Sequence, residues 1–267
     1  MASAGDGTVG KALDVLDLVS SQDRPVRFAE LQRMSALPKA TLYRLVQTLV
    51  NQGMLVQNPE AGTYSLGVRL VRLAHAAWRQ ASLAPIARPH LDALSLDTGL
   101  TVHLAQMDYG HVLYVDRRNA LESAAMFTDA GKVGPAYCTG VGKAMLAYLD
   151  ADELEQVLRM QSFHRFTPTT LASEAVLRQS LERTRARGYA IDREEHMAGV
   201  ICVAMPILSD SGRVIGAASL SGSTPRTDIR TLETHVPRLR KAVEAIAEEA
   251  AQWAFPVEGR ESEGRPG

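Results

Sequence analysis

The apolar residues between Pro38 and Gly53 repeat with the period of an α-helix. They fall at i, i+3, i+4 and i+7 and build one apolar face from Leu42, Leu45, Val46 and Leu49. Pro38 suits a first helical turn, where its missing N–H is no loss, and Gly53 suits a C-terminal cap. The pattern therefore predicts a short amphipathic helix over this stretch.

The opposite face of this predicted helix is small and polar. On an ideal helical wheel it carries Ala40, Tyr43, Arg44, Gln47 and Asn51, and the stretch also contains the cation Lys39 but no acid. Arg and Gln side chains bond base edges in the major groove of DNA, an Ala methyl meets a thymine methyl, and Lys and Thr bind phosphates. The face suits DNA reading, but taken alone the helix fits an ordinary amphipathic surface helix better.

The flanking patterns give this helix a context. Residues 8–21 and 27–36 show helical apolar spacing, and two short β-prone runs, MLVQ and TYSL, surround an Asn58-Pro59 turn that ends at Gly62. The predicted order is helix, helix, helix, hairpin. This order is typical of a winged helix-turn-helix, which we assign to residues 1–66, with the third helix as reader and the hairpin as wing.

Residues 67–98 are helical in pattern, and we interpret them as a helical linker of two helices with a break marked by Pro85 and Pro89. The first helix carries an apolar stripe made of Leu70, Leu73, Ala74, Ala77 and Trp78. Such a stripe can pair with a second copy of itself or pack on its own domain. The sequence leaves both possibilities open.

From Leu100 onward the pattern changes to alternating strands mixed with helices. TVHLAQM and HVLYVDR predict a hairpin, residues 173–188 a helix with Ser173 as N-cap, and 227–253 a terminal helix interrupted near Pro237. An antiparallel sheet with helices at one side makes the fold class α+β, and we assign residues 99–255 to this domain. The polar, Gly-rich residues 256–267 are predicted to be a disordered tail.

Composition and charge limit the choice of partners. The net charge is −1, and residues 1–66 hold six Lys or Arg and six Asp or Glu, so DNA binding must rest on local charge placement. Two cysteines are too few for a disulfide framework and fit a reducing cytoplasm. The N-terminal residues lack the apolar segment of a signal peptide, and no apolar run approaches the length of a membrane span. We therefore expect a cytoplasmic protein with no membrane partner.

Several stretches together resemble the IclR family of bacterial transcription regulators. They are KALDVLDLV and LPKATLYRLVQTLVNQGML near the start, and GPAYCTGVGKAMLAYL, RGYAIDREEHMAGVICVAMPI and GAASLSG later in the chain. The resemblance covers Val9 to Trp253. It implies a DNA-binding domain joined by a helical linker to a GAF-like effector-binding domain, in a homodimer or tetramer. Two positions depart from the common family pattern, since Ala36 stands where many members have Gly and Tyr137 where His is common.

The resemblance also implies an effector pocket. Thr139, Gly140 and Val141 open a predicted helix, and the residues at the other matching positions are Asp192, Cys202, Ser219 and Ser221. The free N–H groups of a helix start favour an anion, Ser hydroxyls can hold a carboxylate, and Asp192 can accept a bond from a hydroxyl or hydrated carbonyl. The expected ligand is a small organic acid such as a keto acid, sugar acid or aromatic acid. Without the resemblance, these residues would simply be a helix start and strand positions.

Enzymatic interpretations find less support. CTGVGKA resembles a phosphate-binding loop, but Tyr137 and Ala144 stand where the motif needs Gly and Ser or Thr. Cys202 with His196 or His103 would make a nucleophilic pair, yet its segment VICVAMPI is very apolar and favours a buried, inert thiol. A metal site with Cys138, Cys202 and a His lacks close ligand spacing. We therefore predict a protein that is not an enzyme and has no metal and no cofactor.

The resemblance, together with these patterns, implies a ligand-responsive transcription repressor of a catabolic operon that binds double-stranded operator DNA. Base contacts are assigned to Arg44 and Gln47, with Tyr43 and Ala40 beside them, and phosphate contacts to Lys39, Thr41 and the wing. Two alternatives stay open. The C-terminal domain can serve only to assemble copies of the protein, or the chain can be an enzyme acting on a small carboxylate.

Overall fold

The computed structural model describes residues 7–118 and 130–251, with only the backbone for residues 78–81. The chain divides into two compact units between Gln80 and Ala81. This division places the two helices of the predicted linker in different units. The predicted tail, residues 256–267, lies outside the described residues.

The first unit is a helical domain with a small sheet. Its elements are α1 Gly7–Ser20, β1 Val26–Arg27, α2 Phe28–Met34, α3 Lys39–Asn51, β2 Leu55–Asn58, β3 Thr63–Leu66 and α4 Val68–Ala81. The predicted apolar face of α3 is buried, and its four residues pack with Val15 of α1 and Leu31 of α2. The polar face of α3 therefore points outward, as the amphipathic pattern predicts.

The small sheet is antiparallel with the strand order β1-β3-β2. The hairpin of β2 and β3 is confirmed, and Leu55 pairs with Leu66. Asn58 shapes its turn, because its Oδ1 accepts hydrogen bonds from the N–H groups of Glu60 and Ala61, each at 3.1 Å. Strand β1 has only two residues, too few to show the alternation from which a strand is recognised.

The second unit contains a six-stranded antiparallel sheet. Its elements are α5 Ala84–Thr98, β4 Thr101–Asp108, β5 His111–Arg118, β6 Val133–Pro135, α6 Gly140–Leu146, α7 Ala151–Met160, α8 Glu174–Arg187, β7 Ala190–Arg193, β8 Val200–Leu208, β9 Val214–Ser223, α9 Ile229–Thr234 and α10 Val236–Ala250. The strand order is β6-β5-β4-β9-β8-β7. The last hairpin therefore brings β9 beside β4, which lies more than a hundred residues earlier in the chain.

Helices cover both faces of this sheet, whereas the sequence predicted helices at one side. Helix α6 contacts β7, β8 and β9 on one face, and α5 and α10 pack together on the other. The interior of β8 is buried at seven consecutive positions, which requires cover on both faces. The fold class remains α+β, because the sheet is antiparallel and its helices are not alternating crossovers.

Helix ends follow local signals, with one exception. Ser173 caps α8 by accepting the N–H of Val176, and the terminal helix is interrupted at His235, next to Pro237. The predicted break between the two linker helices is confirmed at Pro85, which lies in the first turn of α5, whereas Pro89 lies inside this helix. The missing N–H of Pro89 removes one intrahelical hydrogen bond, the bond to the carbonyl of Pro85. No helix in the described part of the chain is long and apolar enough to cross a membrane.

Candidate functional site

The outer face of α3 is available to a partner. Of the six residues assigned to DNA contacts, Lys39, Ala40, Tyr43 and Arg44 are exposed, whereas Thr41 and Gln47 are half-buried. Tyr43 is steadied by Phe28 of α2, whose ring meets it edge to face with centroids 5.7 Å apart. The structure thus exposes four of the six residues fully, and the contacts of all six with DNA stay a prediction.

The wing differs in charge from the reader helix. Residues 55–66 contain one acid, Glu60, and no Lys or Arg. The predicted phosphate contacts of the wing would therefore use backbone N–H groups and neutral side chains. The positive charges that could bind phosphates lie outside the wing, for example on Lys39 at the start of α3.

All seven residues assigned to effector binding line one pocket of the second unit. The register of the sheet explains why: Asp192 on β7 pairs with Cys202 on β8, and Cys202 pairs with Ser221 on β9. Ser219, two residues earlier, lies on the same face as Ser221. Thr139, Gly140 and Val141 at the start of α6 complete the set.

The start of α6 lies directly over β8. A Cβ added to Gly140 would be 2.2 Å from the Sγ of Cys202 and 3.5 Å from the Cβ of Asp192, so no larger residue fits there without a shift. Thr139 is the N-cap residue, but its hydroxyl donates to the carbonyl of Pro135 at 2.8 Å and makes no side-chain cap. Glycine therefore permits the close approach of helix and strand that forms one wall of the pocket.

Asp192 takes a different role from the one predicted for it. Its Oδ1 accepts the N–H of Glu195 at 2.8 Å. The N–H of Gly140 also faces this carboxyl group and favours its ionised form. Burial, followed by the charge of Glu195, raises the pKa of Asp192 to about 7, against the lowering effects of Lys143 and the two N–H bonds.

A buried ion pair supports this wall from behind. Lys143 of α6 is 1% exposed, and its Nζ lies 2.5 Å from both carboxylate oxygens of Glu195 and 2.6 Å from the carbonyl of Ile191. The lysine of the segment that resembles a phosphate-binding loop therefore forms a buried structural ion pair. It fixes α6 against the segment that follows β7.

The pocket also contains residues that the site prediction missed: His103, Tyr114, His196, Met197 and Val200. His103 of β4 pairs with Ser219 in the sheet register and is 3% exposed. Its Nδ1 lies 3.2 Å from the Oγ of Ser221 and 3.4 Å from the Oγ of Ser219. The sequence does show that His103 shares a strand face with the apolar Ala105, which indicates a buried histidine. It does not show that β4 pairs with β9, and only this pairing brings His103 to the serines.

Residues 164–170 pack beside His196, which lines the pocket. The ring of Phe166 meets those of His164 and His196, with centroids 4.8 Å apart in each pair. The hydroxyl of Thr170 donates to the carbonyl of Glu195 at 2.6 Å, and the Tyr137 hydroxyl donates to the carbonyl of His164 at 2.6 Å. Tyr137, the departure from the family pattern, thus anchors residues 164–170.

The chemistry of the pocket suits binding. Burial raises the pKa of Cys138 to about 12 and that of Cys202 well above its ordinary value, so neither thiol is a ready nucleophile. Within residues 7–118 and 130–251, no group of three or more His, Cys, Asp or Glu is arranged to hold a metal. About 440 Å³ around these residues is free of atoms, a volume that includes open solvent.

Comparison with known families matches both units. Residues 8–59 match the IclR helix-turn-helix domain, and residues 75–248 match the C-terminal domain of the bacterial transcriptional regulator IclR. Among curated proteins, the HTH-type transcriptional regulator XynR of Escherichia coli (strain K12) is 35% identical over 240 residues, which is 90% of this chain and 95% of XynR. KdgR of the same organism is 30% identical over 251 residues, covering 93% and 95% of the two chains.

Solved structures share the fold over most of the chain. A regulator from Silicibacter sp. TM1040 has a TM-score of 0.79 at 29% identity and covers 94% of this chain and 98% of its own. A homologue from Microbacterium hydrocarbonoxydans, solved in complex with 4-hydroxybenzoate, has a TM-score of 0.77 at 25% identity and covers 91% and 98%.

Proposed function

Because this chain belongs to the IclR family of bacterial transcription regulators, we propose that it represses a catabolic operon and responds to a small organic acid. Its relatives are transcription regulators, and the chain is a DNA-binding regulator rather than an enzyme. We place it in the cytoplasm, where operator DNA and metabolic acids are both present.

The observation that carries the ligand proposal is the convergence of seven separated residues on one pocket. They come from α6 and three strands, and several are polar and buried, which a plain hydrophobic core does not require. The complex of the Microbacterium homologue with 4-hydroxybenzoate adds support, because it places an organic acid on a protein of the same fold. We therefore propose that this pocket binds the effector.

For DNA, we propose that two copies of α3 enter successive major grooves of a near-palindromic operator. Arg44 and Gln47 contact base edges, with Tyr43 and Ala40 beside them. Lys39, Thr41 and neutral groups of the wing contact phosphates. The exposed side of α3 and its steadied Tyr43 support this assignment.

Two copies require an interface, and α4 offers one. Along it, Val68, Val71 and Leu73 are 72%, 66% and 51% exposed, whereas Leu70 packs on the core of the first unit. We propose that α4 pairs with a second copy in a homodimer, with a tetramer as the further state. Leu73→Glu should lower the oligomeric mass in analytical ultracentrifugation, while Arg72→Glu, an exposed neighbour, tests whether charge alone has the effect.

The first experiment is fluorescence anisotropy with DNA from the gene's own upstream region and excess unrelated DNA. Specific binding survives the competitor. The complex is then titrated with a broad panel of keto acids, hydroxy acids, sugar acids, aromatic acids and dicarboxylates. DNA release by at least one acid is expected, and release by none of them contradicts the ligand proposal.

Single substitutions test the reader helix. Arg44→Ala is expected to weaken discrimination between operator and unrelated DNA, at a cost of about 1–3 kcal/mol for one base contact. Lys39→Ala should weaken binding to both DNAs and reduce the salt slope by about 1. Lys11→Ala, which removes an exposed cation from α1, is the control for charge alone. Equal operator affinity for Arg44→Ala and wild type would refute the reader assignment.

A further inference from the structure

The first turn of α4 is joined to the end of α3 by two hydrogen bonds from one side chain. The Nη1 of Arg69 donates to the backbone carbonyl of Gln52 at 2.9 Å and to the Oε1 of the same residue at 2.8 Å. Gln52 is the C-cap residue of α3, where carbonyl groups have no donor within the helix. A guanidinium suits this position, because it bonds such a carbonyl and places positive charge at the negative end of the helix.

Two glycines bring the backbones of the same two segments together. Gly53 follows the C-cap of α3 with a φ of +68°, and the N–H of Gly67, just before α4, donates to the carbonyl of Met54 at 2.8 Å. A Cβ added to Gly67 would lie 2.2 Å from the carbonyl oxygen of Gly53, so a larger residue there requires movement of the backbone. We call Gln52, Gly53, Gly67 and Arg69 the α3–α4 clamp.

The residues that follow the clamp divide between the first unit and the solvent. Leu70 packs against the core that contains Leu49 of α3, whereas its sequence neighbour Val71 is exposed. Helix α4 is therefore anchored to the reader helix through its first turn, and it still presents apolar residues to a second copy of the chain.

The angle between α3 and α4 sets the distance between two reader helices in a dimer that pairs through α4. Helix α4 has 14 residues and is about 21 Å long. A tilt of about 10° at the clamp moves its far end by about 4 Å relative to α3, close to the step of about 3.4 Å that one base pair adds to DNA. A dimer with a loose clamp would therefore accept operators of several half-site spacings.

We infer that the α3–α4 clamp fixes the spacing of the two operator half-sites and that Arg69 and Gly67 are its specificity-determining residues. This inference rests on the proposed function, because it takes from it the pairing of two α4 helices and the entry of two α3 helices into one operator. The clamp acts on the position of the reader helix, and Arg69 makes no contact with DNA.

The test measures fluorescence anisotropy of the full chain with three kinds of DNA from the gene's own upstream region, after footprinting has located the half-sites. They are the natural operator, the same operator with one or two base pairs inserted between the half-sites, and a DNA with a single half-site. Two inserted base pairs rotate one half-site by about 70° relative to the other. In the wild type this insertion should weaken binding at least tenfold, and we call the weakening factor the spacing ratio.

Variants then assign the spacing ratio to the clamp. Arg69→Met removes both hydrogen bonds to Gln52 and should reduce the spacing ratio at least threefold, with single half-site affinity within twofold of wild type. Arg69→Lys keeps a donor and should restore much of the ratio. Gln52→Ala removes only the Oε1 acceptor, so its effect should be smaller, and adding it to Arg69→Met should change nothing further.

Gly67→Ala tests the backbone part of the clamp and should reduce the spacing ratio at least as much as Arg69→Met. Thermal melting shows which variants are folded, and Arg69→Met decides the question by itself where Gly67→Ala does not fold. Arg72→Met is the matched control, because it makes the same change at an exposed position of the same helix and leaves the Arg69–Gln52 bonds in place. Its spacing ratio should equal that of the wild type.

Several outcomes overturn the inference. It is wrong if Arg69→Met, or folded Gly67→Ala, keeps the wild-type spacing ratio. It is also wrong if Arg69→Met weakens the single half-site complex and reduces its salt slope, because Arg69 then contacts a phosphate. A lower oligomeric mass of Arg69→Met in analytical ultracentrifugation would instead place Arg69 in the interface between copies. A wild-type protein that binds the operator equally at every spacing, or binds no upstream DNA specifically, refutes the proposed function itself.

Discussion

The contact between Gly140 and Cys202 permits a sharp test of how the pocket wall is built. A methyl group at Gly140 would lie 2.2 Å from Sγ, whereas non-bonded heavy atoms need about 3.5–4.0 Å. Both residues are buried, so the overlap must be relieved by movement of α6 or β8. Overpacking of this kind costs about 1–3 kcal/mol, more than the gain of up to about 1 kcal/mol from replacing Gly by Ala in a helix.

The expected loss of stability in Gly140→Ala can be measured, and a second substitution at Cys202 should relieve most of it. A loss of about 2 kcal/mol lowers the melting temperature of a unit of this size by about 4–8 °C, measured by differential scanning calorimetry of the full chain. Cys202→Ala alone should cost about 1 kcal/mol, like the loss of one buried methyl group. In the double variant the nearest side-chain atom is the Cβ of Ala204 at 3.4 Å, so most of the Gly140→Ala loss should disappear.

Gly142→Ala provides the matched control. Its added Cβ would lie 2.3 Å from the backbone carbonyl oxygen of Ala136, an obstacle that Cys202→Ala does not remove. This variant should therefore be destabilised with or without the Cys202 change. A Gly140→Ala protein that melts like wild type, or equal rescue of both glycine variants by Cys202→Ala, would refute the reasoning.

Three further substitutions test the surroundings of the pocket by thermal melting. Lys143→Met leaves the Glu195 carboxylate buried and unpaired and should cost about 3–5 kcal/mol, while the double variant with Glu195→Gln should recover much of this loss. Because the pKa of Asp192 is raised from 3.8 to about 7, its contribution to stability is fully present below pH 4 and is lost as the pH rises through 7, so Asp192→Asn should remove a stability decrease over this interval. Thr170→Val removes the hydroxyl that accepts the N–H of Thr167 at 2.8 Å and should cost about 1–3 kcal/mol, while unchanged melting would show that water replaces these bonds.

Much of the first unit was predictable because its signals are local. The spacing of Leu42, Leu45, Val46 and Leu49 determines the buried side of α3, and an Asn-Pro turn followed by Gly62 determines the hairpin. The same holds for Ser173 as the N-cap of α8. Each of these features depends on residues within one or two turns of the chain, so the sequence contains the complete physical cause.

The pocket was predictable only in part. The resemblance to a family supplied seven residues that the structure gathers around one pocket, although the residues themselves gave no reason for their proximity. The pairing of the strands determined two features of the pocket that the resemblance did not predict. It placed His103 beside Ser219, 116 positions away, and it placed Asp192 where burial raises its pKa.

The sequence by itself determined the identity of the helices and hairpins, the polar side of the reader helix and the family, because periodicity and end signals act over short distances. The tertiary structure decided that helices cover both faces of the sheet, that Lys143 is paired with Glu195, and that His103 lies in the pocket. These features depend on contacts between distant segments. Such contacts are set by the mutual packing of the whole core, and no local pattern specifies them.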